Sequence, residues 1–270
     1  MNPAITLGPL VLPWGLGAVL ASLLVAWALG RWLGRRQGAD PGDALWGAFW
    51  AGALLARIAF IVEYRSAYLA EPLSMLDIRD GGWNPVAGLL GAWLYALVRA
   101  RRRAPQAWPA LRSALMAGTA VFVAGLGALS ALPDTDRRLP ALTVRSLQGA
   151  EVDLRTFQGK PTVINLWATW CPPCVREMPV LAAAQRQSPD VNVVFLNQGE
   201  AADQVRAWLR SRGLGLDNAL IDETRAAGAV FEQKAFPTTL FFDADGRLVG
   251  TRIGELSAAT LQERLARIRR

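Results

Sequence analysis

Four apolar stretches in residues 1–132 constrain this chain more than any other feature, because each comes close to what a helix needs to cross a bilayer. A crossing takes about 20 mostly apolar residues at about 1.5 Å of rise each. The first stretch, about 7–30, carries no charge, and its Pro9 and Pro13 fall near the start, where a helix tolerates proline. It is too long, and too poor in leading positive charge, for a cleaved signal peptide. The second runs over about 44–62 with Arg57 as its one charge, the third over about 81–98, short and glycine-rich, and the fourth over about 113–132.

The arginines orient these stretches. Arg31, Arg35 and Arg36 follow the first, and Arg99, Arg101, Arg102, Arg103 and Arg112 follow the third, which marks both loops as cytoplasmic. Between them, Arg65 and Arg79 stand against Glu63, Glu71, Asp77 and Asp80, so that segment reads as external. Four spans that start outside also end outside. The expected architecture is therefore an N-terminal all-α transmembrane domain of four spans over 1–132, a linker over 133–138 and a C-terminal α/β domain over 139–270. Both the N-terminus and the α/β domain would face the periplasm of a bacterial inner membrane.

The formal charge of +7 comes largely from arginines beside apolar runs, where they set topology; no nucleic-acid partner is expected. The chain has no histidine, which removes Ser-His-Asp and Cys-His catalysis and the commonest metal ligand. An arginine at membrane depth costs on the order of 2.5 kcal/mol or more, so Arg57 either snorkels to the outer interface near Glu63 or belongs to a lipid-headgroup site. Gly88, Gly91, Gly118, Gly125 and Gly127 read as helix-packing positions.

The second half alternates strands and helices, as an α/β sandwich with a mixed sheet does. Leu142 to Leu147 and Glu151 to Leu154 flank the turn Gln148-Gly149. Thr162 to Trp167 is a nearly continuous apolar run, the pattern of a strand buried on both faces. A helix follows from about Cys171 toward Ser188, then a strand over Val191 to Leu196, a helix over Ala202 to Arg212 and a short strand over Ala219 to Ile221. Strands at Thr238 to Phe242 and Leu248 to Ile253 surround Asp245-Gly246, and Ser257 is a natural N-cap for a last helix.

The only two cysteines, Cys171 and Cys174, lie at the strand-to-helix transition, where a helix N-terminus offers partial positive charge and N–H groups to the first sulfur. Position along the helix makes Cys171 the nucleophile and Cys174 the resolving thiol. A structural zinc site would need four ligands, and an inert staple closing a two-residue loop would constrain the unfolded chain very little. Trp170 either shields the thiolate and shapes a groove or packs ordinarily. Pro172 and Pro173 supply neither charge nor N–H, so thiolate stabilisation should be modest and the site reducing. The redox-active Cys171–Cys174 pair is the only prosthetic chemistry expected; no cofactor or metal is called for.

The segment Asn165 to Pro179, with Trp170-Cys171-Pro172-Pro173-Cys174 at its centre, and the downstream Phe236-Pro237-Thr238-Thr239 together resemble the TlpA, ResA and DsbE group of membrane-tethered thioredoxins. The resemblance implies a thioredoxin-like protein-disulfide reductase with Pro237 in cis and its backbone free to pair with substrate. It implies that Pro179 kinks the active-site helix, the alternative being an early helix end. It also implies that Glu177 tunes or deprotonates the resolving thiol; otherwise Glu177 is a solvated surface residue. Asn165 stands where many cytosolic thioredoxins have a buried aspartate, which shifts proton transfer toward Glu177 or water. The implied partners are a disulfide-containing periplasmic protein, of the kind met in cytochrome c or copper-site maturation, and a membrane thiol-electron donor of DsbD or CcdA type. That donor is needed because the apolar stretches contain no cysteine. A disulfide oxidase or isomerase, and a membrane adaptor for lipoprotein handling that uses this fold for docking, are the alternatives.

In the first half, Leu55 to Tyr64, Glu71-Pro72-Leu73 and Gly81 to Gly91 resemble the N-terminal spans of prolipoprotein diacylglyceryl transferases. That family carries a histidine just before the glycines that match Gly88 and Gly91, and this chain has none. The resemblance thus implies a shared scaffold in the lipid bilayer without the transfer chemistry.

Overall fold

The computed structural model describes residues 4–7, 10–70, 72–102, 105–131, 137–233 and 235–269. Most of the expected linker, together with Glu71 and Arg103, lies outside these. The chain divides into two compact units, Asn2–Arg65 with Gly81–Pro133, and Ser66–Asp80 with Asp134–Arg270.

The first unit opens with a hairpin of β1 (Ala4–Leu7) and β2 (Leu10–Pro13), followed by α1 (Trp14–Gln37) and α2 (Gly42–Glu63). The expected first span therefore starts later than its apolar stretch, because residues up to Pro13 are paired as strands. A short helix α3 (Arg65–Ala70) begins the segment between α2 and α4 (Pro85–Arg102), and α5 (Trp108–Ala131) follows α4. Among the described residues, three helical stretches, Trp14–Gln37, Gly42–Glu63 and Pro105–Ala128, are long and apolar enough to cross a membrane. The expected third span, α4, falls short of that measure because Arg99, Arg101 and Arg102 occupy its last turn.

Small residues set the pairing of these helices. A Cβ on Gly52 would come within 2.7 Å of the Gly88 carbonyl, and one on Gly91 within 2.9 Å of Leu55 Cβ, so α2 and α4 meet backbone to backbone. Gly118 and Gly125 bring α5 equally close to α1, whereas a Cβ on Gly127 would meet open space. Arg57 is buried, and its guanidinium donates to the Gly82 carbonyl at 2.9 Å, while Glu63 accepts from Asn84.

In the second unit the strands are β3 (Thr143–Ser146), β4 (Glu151–Asp153), β5 (Thr162–Trp167), β6 (Asn192–Gln198), β7 (Ala219–Asp222), β8 (Thr238–Phe242) and β9 (Leu248–Ile253). They form one sheet in the order β4-β3-β7-β6-β5-β8-β9, with β5, β6 and β7 parallel and the remaining pairs antiparallel. The helices are α6 (Pro172–Gln187), α7 (Ala202–Ser211), α8 (Ala226–Val230) and α9 (Ala258–Ile268). This is the expected thioredoxin-like sandwich with a mixed sheet.

The core lies on both sides of β5. Val163 and Trp167 enter a cluster with Met178, Leu181 and Leu265, and Ile164 and Leu166 enter another with Leu240 and Phe242. Every residue of β5 is buried, as its unbroken apolar run requires. Helix α6 buries Cys174, Met178 and Leu181 at the i, i+4, i+7 spacing of one face. It continues through Pro179 to Gln187, so that proline does not end it. Ser257 caps α9 by accepting from the Thr260 N–H, an arrangement that contributes about 1 kcal/mol.

Candidate functional site

The dithiol sits where β5 ends and α6 begins. Cys171 is the N-cap of α6, and its Sγ accepts from the Cys174 N–H at 3.3 Å. Pro172 and Pro173 occupy the first two helical positions, so two of the N–H groups that a helix start normally presents are missing there. The two sulfurs are joined in a disulfide, with both cysteines buried. The structure thus shows the oxidised state of the couple.

Glu177, one turn beyond Cys174, is not a solvated surface residue: it is 1% exposed. Its Oε1 accepts from Asn165 Nδ2 at 2.7 Å, and its Oε2 accepts from the Leu256 N–H at 2.9 Å. Asn165 also donates to Thr239 Oγ1 at 3.0 Å, which ties β5 to β8 beneath the helix. Burial pushes the Glu177 carboxyl up to about 7 from its ordinary 4.5, and the two hydrogen bonds offset only part of that. The amide at Asn165 therefore acts as a donor that holds the buried acid.

Trp170 is 58% exposed, and its ring meets Phe236 edge to face at 5.9 Å between centroids. Phe236 packs on the cluster that contains both cysteines, and the Phe236–Pro237 bond is cis. Cys171, Cys174, Trp170 and the peptide preceding Pro237 are thus brought into one neighbourhood, with Glu177 buried behind it.

One acid escaped the sequence reading. Glu200 is buried and accepts from the Thr169 N–H at 2.7 Å, from Asn197 Nδ2 at 2.7 Å, from Gln204 Nε2 at 2.9 Å and from the Thr169 hydroxyl. It thereby holds the residue two positions before Cys171. The signal lay in topology. Parallel neighbours β5 and β6 carry the loops at their C-terminal ends to the same edge of the sheet, the dithiol after one strand and Glu200 after the other. Gly199 makes the turn at φ +80°, in a place where a side chain would run into Arg225.

Residues 134–265 match the Redoxin family, and residues 3–128 match the prolipoprotein diacylglyceryl transferase family. The thioredoxin-like protein YneN of Bacillus subtilis is 29% identical over 133 residues, covering 48% of this chain and 77% of that protein. The thiol-disulfide oxidoreductase ResA of Bacillus cereus is 28% identical over 134 residues, covering 49% and 77%. The thiol:disulfide interchange protein DsbE of Vibrio cholerae is 30% identical over 118 residues, covering 44% and 63%. The second half of this chain thus matches the Redoxin family and is similar to thiol-disulfide oxidoreductases, and the first half matches the prolipoprotein diacylglyceryl transferase family.

Proposed function

We propose that this chain is a membrane-anchored disulfide reductase that acts on partner proteins at the outer face of a bacterial inner membrane. The observation that carries the reading is the Cys171–Cys174 pair at the N-terminus of α6, with the Cys174 N–H aimed at Cys171 Sγ. In the reduced enzyme the Cys171 thiolate attacks one sulfur of a substrate disulfide. The substrate S–S bond breaks, the departing sulfur takes a proton, and a mixed disulfide remains on Cys171. Cys174, deprotonated with help from Glu177, then attacks Cys171 Sγ and expels the second substrate thiolate. Two electrons have moved to the substrate, and the enzyme is left in the oxidised form seen here. The main chain just before the cis Pro237 pairs with the extended substrate, and the exposed Trp170 forms the apolar rim of its groove.

Pro172 and Pro173 support the reducing direction. They remove two N–H groups beside the Cys174 amide at the helix start, so the thiolate gains little and the disulfide form is not driven to oxidise others. Reduction of cytochrome c or copper-site precursors fits this direction and the ResA and DsbE relatives. The electron source is a separate membrane thiol carrier of DsbD or CcdA type, because both cysteines lie in the Redoxin domain.

The same reading takes α4 as a fourth crossing. Its 18 residues span about 27 Å at about 1.5 Å each, close to the hydrocarbon thickness, and its arginines would rest at the cytoplasmic interface. That count returns the chain to the periplasm before the Redoxin domain. The test is covalent capture. Cys174→Ala in the native membrane should accumulate a reductant-sensitive mixed disulfide on Cys171, and a topology reporter at residue 270 should be active outside the cytosol. A variant that captures nothing, or a reporter active only in the cytosol, would count against the reading.

A further inference from the structure

The turn between β9 and α9, Gly254 to Ser257, joins both sides of the site. The Gly254 N–H donates to the Pro237 carbonyl at 2.9 Å, and the Leu256 N–H donates to Glu177 Oε2 at 2.9 Å. Glu255 receives the Arg176 guanidinium at 2.6 Å, so α6 holds the turn at two successive residues. The fourth residue of the turn, Ser257, donates from Oγ to Asp80 Oδ2 at 3.3 Å. Asp80 lies 177 positions earlier in the chain, at the end of the segment Ser66–Asp80, which belongs to the same compact unit as the Redoxin domain. It is buried, and it accepts a 2.6 Å hydrogen bond from the Tyr68 hydroxyl, itself on a fully buried side chain.

The charges run along the same path. Arg252 on β9 interacts with Asp80, with Glu177 and with Glu263 of α9, while Glu177 interacts with Arg252 and with Glu255. Asp80 therefore bears on Glu177 in two ways, through the hydrogen-bonded turn and through the Arg252 charge that attracts both acids.

We propose that Asp80 is a positioning residue of the dithiol site, supplied by the segment between α2 and α4: through Ser257 and Arg252 it fixes the place and the charge state of Glu177. This rests on the reductase reading for its consequence, since Glu177 serves the resolving thiol. It also gives the external segment a role beyond joining two helices, because a segment that shifted would change how readily the mixed disulfide resolves.

The experiment uses the full chain in lipid nanodiscs. The protonated-carboxyl stretch in infrared spectra, assigned by its loss in Glu177→Gln, gives the midpoint of Glu177; turnover of a model disulfide gives the exchange rate. Asp80→Asn keeps the shape and removes the charge, leaving Arg252 to favour the Glu177 carboxylate. Its midpoint should fall by about half a pH unit, and the exchange rate should change by about threefold, with the melting temperature near wild type. Tyr68→Phe, which removes only the hydroxyl that holds Asp80, should move both readouts the same way and replaces Asp80→Asn should that variant not fold. A midpoint that stays where it is in the wild type overturns the proposal, as does one that moves while exchange is unchanged. Absence of exchange in the wild type itself would instead overturn the reductase reading, whatever the midpoint does.

Discussion

Two carboxylates are buried on either side of the dithiol, and their surroundings differ. Glu200, in the turn after β6, collects donors from Thr169, Asn197 and Gln204, including a main-chain N–H of the loop that carries Cys171. Glu177, on α6, collects two, from Asn165 and Leu256, and burial lifts its carboxyl to about 7. A buried carboxylate wrapped in donors is held in place, and burial with only two donors lets the Glu177 carboxyl exchange its proton near neutrality. Position along the parallel strands places both at the same edge, and the count of donors separates their work.

The largest effect should come from Glu200→Ala. It strands the Thr169 N–H and two side-chain amides, each worth about 1 to 3 kcal/mol when buried without a partner, so calorimetry should show a loss of about 3 kcal/mol or more. Exchange should slow as well, because the loop before Cys171 loses its hold. A loss under about 1 kcal/mol would remove the anchor from the comparison.

Next in size is the pH dependence that Glu177 imposes. Its folded value lies above the ordinary 4.5, so below about 4.5 the acid is protonated in both states and costs nothing. As pH rises from there through about 7, the unfolded chain gives up the proton while the folded chain retains it, and stability falls, by on the order of 3 kcal/mol across the window. Urea melts of wild type and Glu177→Gln between pH 4 and 8 should diverge, with the variant flat where the wild type declines. The same amide substitution at Glu200 should destabilise at pH 8, by about 1 kcal/mol, where Glu177→Gln stabilises. Equal signs at the two sites would break the comparison.

Smallest is Trp170→Ala. An exposed ring contributes little to folding, so stability should stay within about 0.5 kcal/mol of wild type. Turnover should fall for protein disulfides and remain near wild type for small ones. Equal losses on both substrates would show that the ring acts on the sulfurs and not on the partner.

Local signals explain what the sequence made legible. The unbroken run Thr162 to Trp167 is a strand with those bounds because its burial on both faces demands apolar residues throughout, and Ser257 is a cap because its side chain bonds within one helical turn. The dithiol was readable from spacing and from the strand before it. What stayed hidden depends on contacts distant in sequence. Glu200 reaches Thr169 across 31 positions and Asp80 reaches Ser257 across 177, and nothing around either acid marks it as buried. Glu177 read equally well as a surface residue, since its burial depends on Leu256 and Asn165 folding over it. In the first half, hydropathy located the helices, α4 among them despite the last-turn arginines that dilute its apolar stretch, but it missed that residues before Trp14 pair as strands.

The reduction potential of the Cys171–Cys174 couple in the full chain, taken from equilibration with glutathione and trapping of the free thiols, tests the central claim most directly. A reductase with two prolines at the helix start should lie below about −200 mV. A value near the about −120 mV of strong oxidants, or a pair that never equilibrates, would contradict it.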